Sequence, residues 1–109
     1  MAGIMDSRQA IHEMYAADPV EFNMQNLKTQ VFMSLMSLIR TQKLSQAEVA
    51  RRLGVTQPRV SNLFNEHLEK FSIDALLGMM VKMGYKIDAT FNPDNTEQPM
   101  VMSLRKSAF

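Results

Sequence analysis

Apolar residues recur every three or four positions between residues 19 and 41, which is the spacing that places side chains on one face of an α-helix. Asp18 can cap the first turn, Pro19 suits the first helical position, and Glu21 can complete a capping box. The pattern therefore predicts a helix over residues 19–41, and its stripe against the core consists of Val20, Met24, Leu27, Val31, Leu35 and Leu38.

Two shorter helices are predicted after the long one. Ser45 and Glu48 form a second capping box, and the helix that they start should stop at Gly54, which supplies the positive φ of a tight turn. Thr56 can cap the next helix, which should end near Asn65. Ala50 should lie where the two short helices cross closely, and Phe64 should face inward. The residues that should pack both helices onto the long one are Val49, Leu53, Val55, Val60 and Leu63.

A strongly apolar helix should follow from the capping residue Ser72 to Gly84, after which the period changes to alternation and predicts a strand. A loop at residues 92–95 and a second strand at residues 99–104 complete the pattern. A lone strand leaves its backbone groups unsatisfied, so the first strand pairs either with residues 100–104 or with the same strand of a second subunit. The second option implies a homodimer. The apolar positions are Ile73, Leu76, Leu77, Met80, Val81 and Met83 in the helix and Tyr85, Ile87, Ala89 and Phe91 in the strand.

A weaker helical pattern covers residues 6–16, with Ile11, Met14 and Tyr15 on one side. The chain is therefore predicted to be mainly α, with four to five helices and a C-terminal β-strand or hairpin. It divides into an N-terminal arm or short helix (1–17), a helical domain (18–84) and C-terminal strands with a tail that is a candidate dimerisation element (85–109).

The length of 109 residues corresponds to one domain, and 46% hydrophobic with 21% charged residues is an ordinary globular composition. The absence of cysteine excludes disulfides and thiolate metal sites and is compatible with a reducing cytoplasm. Residues 1–5 do not begin a signal peptide, and no apolar stretch is long enough to span a membrane. We expect a soluble cytoplasmic protein without a membrane partner.

Charge is distributed unevenly although the formal net charge is only +1. Residues 1–39 carry a net charge of −2, residues 40–70 carry six basic and three acidic side chains and so a net charge of +3, and residues 71–109 are balanced. A polyanion should therefore bind to the middle of the chain.

The third helix should expose a polar face with Gln57, Arg59, Ser61 and Asn62, which are side-chain types that bond base edges and phosphates in the major groove. Catalytic chemistry has no comparable support. His12-Glu13 begins like a zinc-protease motif, but Ala16 stands where the second histidine would be. We predict no enzyme activity, no metal and no cofactor, and we interpret His67 as a surface residue or a phosphate contact.

From Ser45 to Asn62 the chain resembles the phage-repressor-like helix-turn-helix family (XRE, Cro and CI type), and most closely its small antitoxin-like bacterial members. The resemblance extends over residues 26–92 and includes the helix start at 71–74. It implies a repressor-like domain whose second helix braces the DNA backbone while the third enters the major groove. It assigns base reading to Gln57, Pro58, Ser61 and Asn62, with Arg59 on base or phosphate. The phosphate contacts that we predict are Lys43, Gln46, Arg51, Arg52, Thr56 and Asn65.

Two functions fit this interpretation. The first is a homodimeric, bacterial or phage-encoded transcriptional repressor that binds a palindromic operator in double-stranded DNA. The second is an antitoxin of a type II toxin–antitoxin pair, which neutralises a toxin protein and represses its own operon. The motif does not separate them. Two alternatives to DNA binding stay open: the segment is simply a pair of core helices, or its helix-turn-helix is a protein–protein interaction module. The excess of basic residues in the middle of the chain favours binding to nucleic acid.

Overall fold

The computed structural model describes residues 6–107, except for the side chain of Tyr15, and shows a helical domain followed by a β-hairpin. The predicted fold class is confirmed, with five helices and two strands in the described residues. Residues 1–5 of the predicted arm, the side chain of Tyr15 and residues 108–109 lie outside the described part. The elements are α1 (Ser7–Ala17), α2 (Pro19–Thr41), α3 (Gln46–Leu53), α4 (Gln57–Phe64), a 3₁₀ turn (Leu68–Lys70), α5 (Ile73–Lys82), β1 (Tyr85–Phe91) and β2 (Met100–Lys106).

Helices α2 to α5 each begin directly after the residue that was expected to cap them. The Asp18 carboxylate accepts a hydrogen bond from the Glu21 amide at 3.0 Å, and the Ser72 hydroxyl accepts one from the Ala75 amide at 3.1 Å. At α1 the cap is Asp6, whose side chain accepts from the Gln9 amide at 2.8 Å. Because these caps satisfy amides that a helix end leaves unpaired, they fix where each helix starts.

The core lies between the C-terminal half of α2 and the helices α3, α4 and α5. All the predicted core positions of α3 and α4 are buried or partly buried, and Met79, Met80 and Met83 fill the side towards α5. The buried residues are Val31, Phe32, Leu35, Met36, Ile39, Val49, Ala50, Leu53, Val60, Leu63, Phe71, Leu76, Met79, Met80 and Met83.

The N-terminal half of the predicted α2 stripe does not face the core. Val20, Met24 and Leu27 are 74%, 45% and 39% exposed. Helix α2 has 23 residues and is therefore about 35 Å long, so α3 to α5 cover only its second half. Val81 of α5 was likewise predicted to be buried but is 48% exposed, because it lies on the outer side of that helix.

The two strands pair with each other in antiparallel register, with Tyr85 opposite Lys106 and Phe91 opposite Met100. Of the two pairing options, the described chain adopts the intrachain hairpin. The second strand begins and ends later than predicted, at Met100 and Lys106. The prediction of a half-buried strand is wrong beyond its root, since Tyr85 is partly buried whereas Phe91 is 70% exposed.

None of the helices within residues 6–107 combines the length and the apolar character that crossing a membrane requires.

Candidate nucleic-acid interface

Helix α3 is short, and both of its ends are closed by hydrogen bonds. The Ser45 hydroxyl accepts from the Glu48 amide at 3.1 Å and the Ser45 backbone amide donates to the Glu48 carboxylate at 3.4 Å, which completes the predicted capping box. Its three buried side chains, Val49, Ala50 and Leu53, attach it to the core. An eight-residue helix is marginal alone, so these caps and contacts are what keep it in place.

The turn between α3 and α4 is fixed by a left-handed glycine and by a lysine from a distant helix. Gly54 has φ +66°, and the Val55 amide donates to the Ala50 carbonyl at 3.0 Å. The Lys82 ammonium of α5 donates to the Leu53 carbonyl at 2.7 Å. A cation at a helix C-terminus satisfies a carbonyl that the helix leaves unpaired and complements the negative end of its dipole. Lys82 thus positions the turn, a role that sequence reasoning missed.

Helix α4 starts at Thr56, whose hydroxyl accepts from the Arg59 amide at 3.4 Å, and Pro58 lies in its first turn. Val60 and Leu63 are fully buried and hold the helix against the core. The opposite side of α4 is therefore available to contact a ligand.

We call this free side the reading face, and it consists of Gln57, Pro58, Ser61, Asn62 and Asn65. Residues four apart lie above one another on a helix, so Gln57, Ser61 and Asn65 form one row and Pro58 and Asn62 form the next. The Asn65 amide donates to the Ser61 hydroxyl at 3.4 Å. Gln57, Pro58 and Asn65 are exposed, and Ser61 and Asn62 are partly exposed. The structure thus brings together every predicted base-reading residue except one.

That exception is Arg59, which lies on the other flank of α4. Its guanidinium carbon is 4.5 Å from the ring centroid of the buried Phe71, and its Nη1 donates to the Lys70 carbonyl at 3.4 Å. This stacking is a cation–π contact that ties α4 to the segment before α5. Base or phosphate contact by Arg59 remains a prediction, and it requires the side chain to leave this position.

The predicted phosphate-binding residues are all exposed and lie on α3, at the two caps of α4 and on the turn before α3. Lys43 has φ +55°, a left-handed conformation that is unusual for a residue with a side chain. Arg52 donates to the Gln42 side chain at 2.8 Å, whereas the side chains of Lys43, Gln46 and Arg51 form no hydrogen bond or ion pair with another described residue.

The basic side chains of residues 40–70 are not neutralised by carboxylates. Among residues 6–107 the ion pairs are His67 with Glu69 and Asp88 with Lys86 and Arg105, so no lysine or arginine of this segment is paired. A hydrogen bond from its own backbone N–H, together with His67, lowers the pKa of Glu69 below its ordinary value. The positive charge around α3 and α4 is therefore available to an anionic partner. In the same residues no cluster of His, Cys, Asp or Glu is suited to a metal ion.

Comparison with known proteins supports the resemblance noted from the sequence. A family model described as a helix-turn-helix domain matches residues 12–91, from within α1 to the end of β1. A solved structure described as an XRE-family transcriptional regulator is similar to this chain, with a TM-score of 0.60 and 29% sequence identity over 69% of this chain and 84% of that one. No curated protein matches. The family model covers well over half of the chain, and the chain therefore belongs to the XRE-type helix-turn-helix family.

Proposed function

We propose that this protein is a DNA-binding transcriptional regulator that places α4 in the major groove while α3 braces it against the backbone. The observation that carries the proposal is the polar reading face of α4 beside basic side chains that no carboxylate neutralises. A major groove about 12 Å wide admits one α-helix. The family of the chain and the description of its structural neighbour as a transcriptional regulator are consistent with this use.

Base reading would come from Gln57 and Asn62, with Ser61 and Pro58 beside them. An amide side chain can bond both the N6 and the N7 of adenine, a hydroxyl can bond several base edges, and an apolar ring can contact a thymine methyl group. Phosphate contacts would come from Lys43, Gln46, Arg51, Arg52, Thr56 and Asn65, which fix the register of the protein on the duplex without reading sequence.

We further propose that the regulator is a repressor that binds a palindromic operator as a homodimer. The reading helix has only eight residues and can contact few base pairs, so one copy has little sequence information to use. Two copies related by a two-fold axis would read two half-sites one DNA turn apart, about 34 Å between their centres. Occupation of such a site would block transcription from an overlapping promoter.

Selection of bound fragments from a random DNA pool tests this function most directly. We expect an enriched palindrome whose half-site centres lie about 10 base pairs apart or a multiple of that distance. The affinity for this site should fall steeply with salt, by about 0.9 in log K per unit of log salt for each phosphate contact. An affinity that is the same at low and physiological salt, or a pool without enrichment, contradicts the proposal.

A second candidate function, antitoxin activity, is favoured by the surface of α1 and the first half of α2. Ile11 and Met14 of α1 are 52% and 61% exposed, and Val20 and Met24 of α2 are 74% and 45% exposed. An open groove of about 570 Å³ runs between the two helices. The described residues 6–39 carry four acidic and two basic side chains, so this surface is apolar and acidic. Such a surface is complementary to a basic protein with exposed apolar residues.

The antitoxin function is tested by co-expression with the product of the adjacent reading frame. We expect a stable complex if that product is a small basic toxin, and we expect Met14→Lys to abolish the complex while operator affinity is unchanged. A complex that survives Met14→Lys but is lost on substitution of the reading face contradicts this assignment of the two surfaces.

A further inference from the structure

The β-hairpin has one apolar and one polar face, and the strand register determines which residues lie on each. The Ser107 amide donates to the Gly84 carbonyl at 2.8 Å and the Asn92 amide to the Pro99 carbonyl at 2.7 Å. Hydrogen-bonded and non-hydrogen-bonded residue pairs alternate in antiparallel strands, and side chains lie closest in the non-hydrogen-bonded pairs. The two bonds above therefore make every second pair, from Tyr85 opposite Lys106 to Phe91 opposite Met100, a non-hydrogen-bonded pair. These pairs carry Tyr85, Ile87, Ala89, Phe91, Met100, Met102 and Leu104, which we call the apolar hairpin face, and Lys106 lies on the same side opposite Tyr85 at the root.

This apolar hairpin face is uncovered over most of its length. Phe91, Met102 and Met100 are 70%, 56% and 52% exposed, and Ile87 is 38% exposed. The opposite face carries Lys86, Asp88, Thr90, Val101, Ser103 and Arg105, which suits water. On it the Arg105 Nε donates to the Asp88 carboxylate at 2.9 Å, and that hydrogen bond is the main cause of the lowered pKa of Asp88. The hairpin therefore exposes apolar side chains on the face that ought to be buried.

At its root the apolar hairpin face continues into a groove on α2. Tyr85 and Leu104 line this groove together with Met33 and Leu38 of α2 and Met80 of α5. The groove is open and holds about 460 Å³. Met33 at its rim is 57% exposed. One continuous apolar surface thus runs from α2 along the hairpin to Phe91 and Met100, which we call the hairpin tip and which are the last paired residues before the exposed polar loop of residues 92–99.

The overall dimensions show that the described chain is more extended than a compact domain. The Cα radius of gyration is 17.3 Å, against about 13 Å for a compact domain of roughly this length. The principal extents are 52 × 44 × 22 Å. The hairpin tip is consequently accessible to another molecule.

We propose that this surface is the interface with a second copy of the chain, in which the hairpin tip of each protomer packs into the α2 groove of its partner. The proposal rests on the proposed homodimeric function and names its interface. One copy presents both an apolar projection and an apolar groove, so a two-fold axis can satisfy both at once. Residues 71–109 carry balanced charges, so two identical hairpins do not repel each other.

The available area is large enough for a stable dimer. The exposed parts of Met33, Ile87, Phe91, Met100 and Met102 amount to an apolar area on the order of 500 Å², if a large side chain offers about 150–250 Å². A standard interface buries about 800 Å² per partner, of which somewhat more than half is apolar. The exposed apolar area is therefore similar to the apolar part of a standard interface. Single apolar residues scattered over a surface would not form such a contiguous patch.

The first test compares two substitutions at neighbouring positions of β2. Met102→Asp places a charge on the apolar hairpin face, and Val101→Asp places the same charge on the polar face at a residue of similar exposure, 49% against 56%. Sedimentation equilibrium should give wild type and Val101→Asp twice the chain mass of 12.4 kDa, and Met102→Asp the single mass. Phe91→Asp, at the exposed tip, should also be monomeric, and circular dichroism should show the helices intact in all three variants.

The same variants separate the interface from the DNA-binding function. Met102→Asp should bind a single half-site as wild type does, but should lose more than tenfold in affinity for the full palindrome. If the protein binds no DNA at all, the mass difference between Met102→Asp and Val101→Asp still tests the interface. A wild-type protein that is monomeric, or a Met102→Asp variant that remains a dimer, overturns the proposal.

Cross-linking tests the arrangement, because the chain contains no cysteine of its own. Under mild oxidation, mixing Met33→Cys with Phe91→Cys should yield a disulfide-linked dimer, and replacing Phe91→Cys by Thr90→Cys on the opposite face should abolish it. If Phe91→Cys instead links to itself and not to Met33→Cys, the hairpin tips meet each other and the tip-in-groove arrangement is wrong.

Discussion

The α3–α4 unit and the C-terminal hairpin are both amphipathic, yet they distribute their two faces in opposite ways. The helices bury Leu53, Val60 and Leu63 completely and present polar side chains to solvent. The hairpin buries almost nothing beyond its root and presents Phe91 and Met102 instead. Where a chain covers its own apolar face, the polar face can carry specificity. The apolar face that the hairpin leaves open is the surface that we propose for contact with a second copy of the chain.

The largest expected effect concerns the buried side of this comparison. Leu53→Ala should lower the free energy of unfolding by about 2–5 kcal/mol, because it removes buried methyl groups and leaves a cavity. Phe91→Ala should change it by less than about 0.5 kcal/mol when urea denaturation is measured at a protein concentration where the chain is monomeric. A large loss for Phe91→Ala under those conditions would mean that the hairpin tip packs within its own chain.

The next effect concerns the polar side of α4. Asn62→Ala or Gln57→Ala should reduce discrimination at individual base positions by about 1–3 kcal/mol, since the base contact is lost and the backbone contacts remain. Lys43→Ala should weaken binding to all sequences equally and reduce the salt slope by about 0.9. Competition binding with single-base operator variants distinguishes the two classes. If both behave alike, the division into reading and phosphate-binding residues is incorrect.

A smaller effect is expected at Lys82 of α5, whose side chain bonds the turn between α3 and α4. Lys82→Met should lower the free energy of unfolding by about 1–2 kcal/mol, because the Leu53 carbonyl loses a charged donor. It should also weaken operator binding although the residue belongs to neither the reading face nor the phosphate set. Lys28→Met in the first half of α2 serves as the matched control and should change neither quantity, because the Lys28 side chain forms no hydrogen bond or ion pair with another described residue. A Lys82→Met variant that melts like wild type would show that the hydrogen bond does not hold the turn.

Substitution of Lys43 can separate the effect of backbone strain on stability from the effect of the lysine charge on DNA affinity. Its left-handed conformation disfavours a residue with a side chain, so Lys43→Gly should raise the free energy of unfolding by about 0.5–1 kcal/mol and yet lower DNA affinity. Glu66 has φ +61°, and Glu66→Gly should give the same gain in stability without loss of DNA affinity. Thermal melting and a binding titration on both variants check this pair. Equal loss of affinity in both would assign the effect to backbone flexibility instead of charge.

The smallest effect concerns the polar face of the hairpin. Arg105, and after it Lys86, lower the pKa of Asp88, so the ionised carboxylate stabilises the hairpin above the ordinary carboxyl pKa of about 4. This contribution is lost as the pH falls through the lowered folded-state pKa. In an NMR titration, Arg105→Gln should raise the Asp88 pKa towards its ordinary value. No change would show that the two side chains do not interact in solution.

Helix boundaries could be predicted from the sequence because their causes are local. Ser45 lies three residues from Glu48, and Gly54 follows its helix directly, so the physical cause of each end is visible in a short window. The link from Lys82 to the Leu53 carbonyl spans 29 residues, and the stacking of Arg59 on Phe71 spans 12, so neither leaves a local signal. These contacts depend on tertiary packing alone.

Periodicity also has a limit that α2 makes clear. The stripe from Val20 to Leu38 continues with the same spacing along both halves of the helix, and the pattern identifies the apolar face correctly. It does not say whether another element of the same chain covers that face. The same limit applies to the alternation in β1, which fits an intrachain hairpin and a contact between subunits equally well.

The position of β2 relative to the matched region has a consequence for how such regulators diverge. The family match ends at residue 91, so Met100 and Met102 lie outside the matched region that contains α3 and α4. With the hairpin interface that we propose, two duplicated copies in one cell could keep a common operator and cease to form mixed dimers through a few replacements in β2. The converse is equally accessible, because changes on α4 leave the hairpin untouched. Operator choice and partner choice can thus evolve along separate routes in a chain of 109 residues.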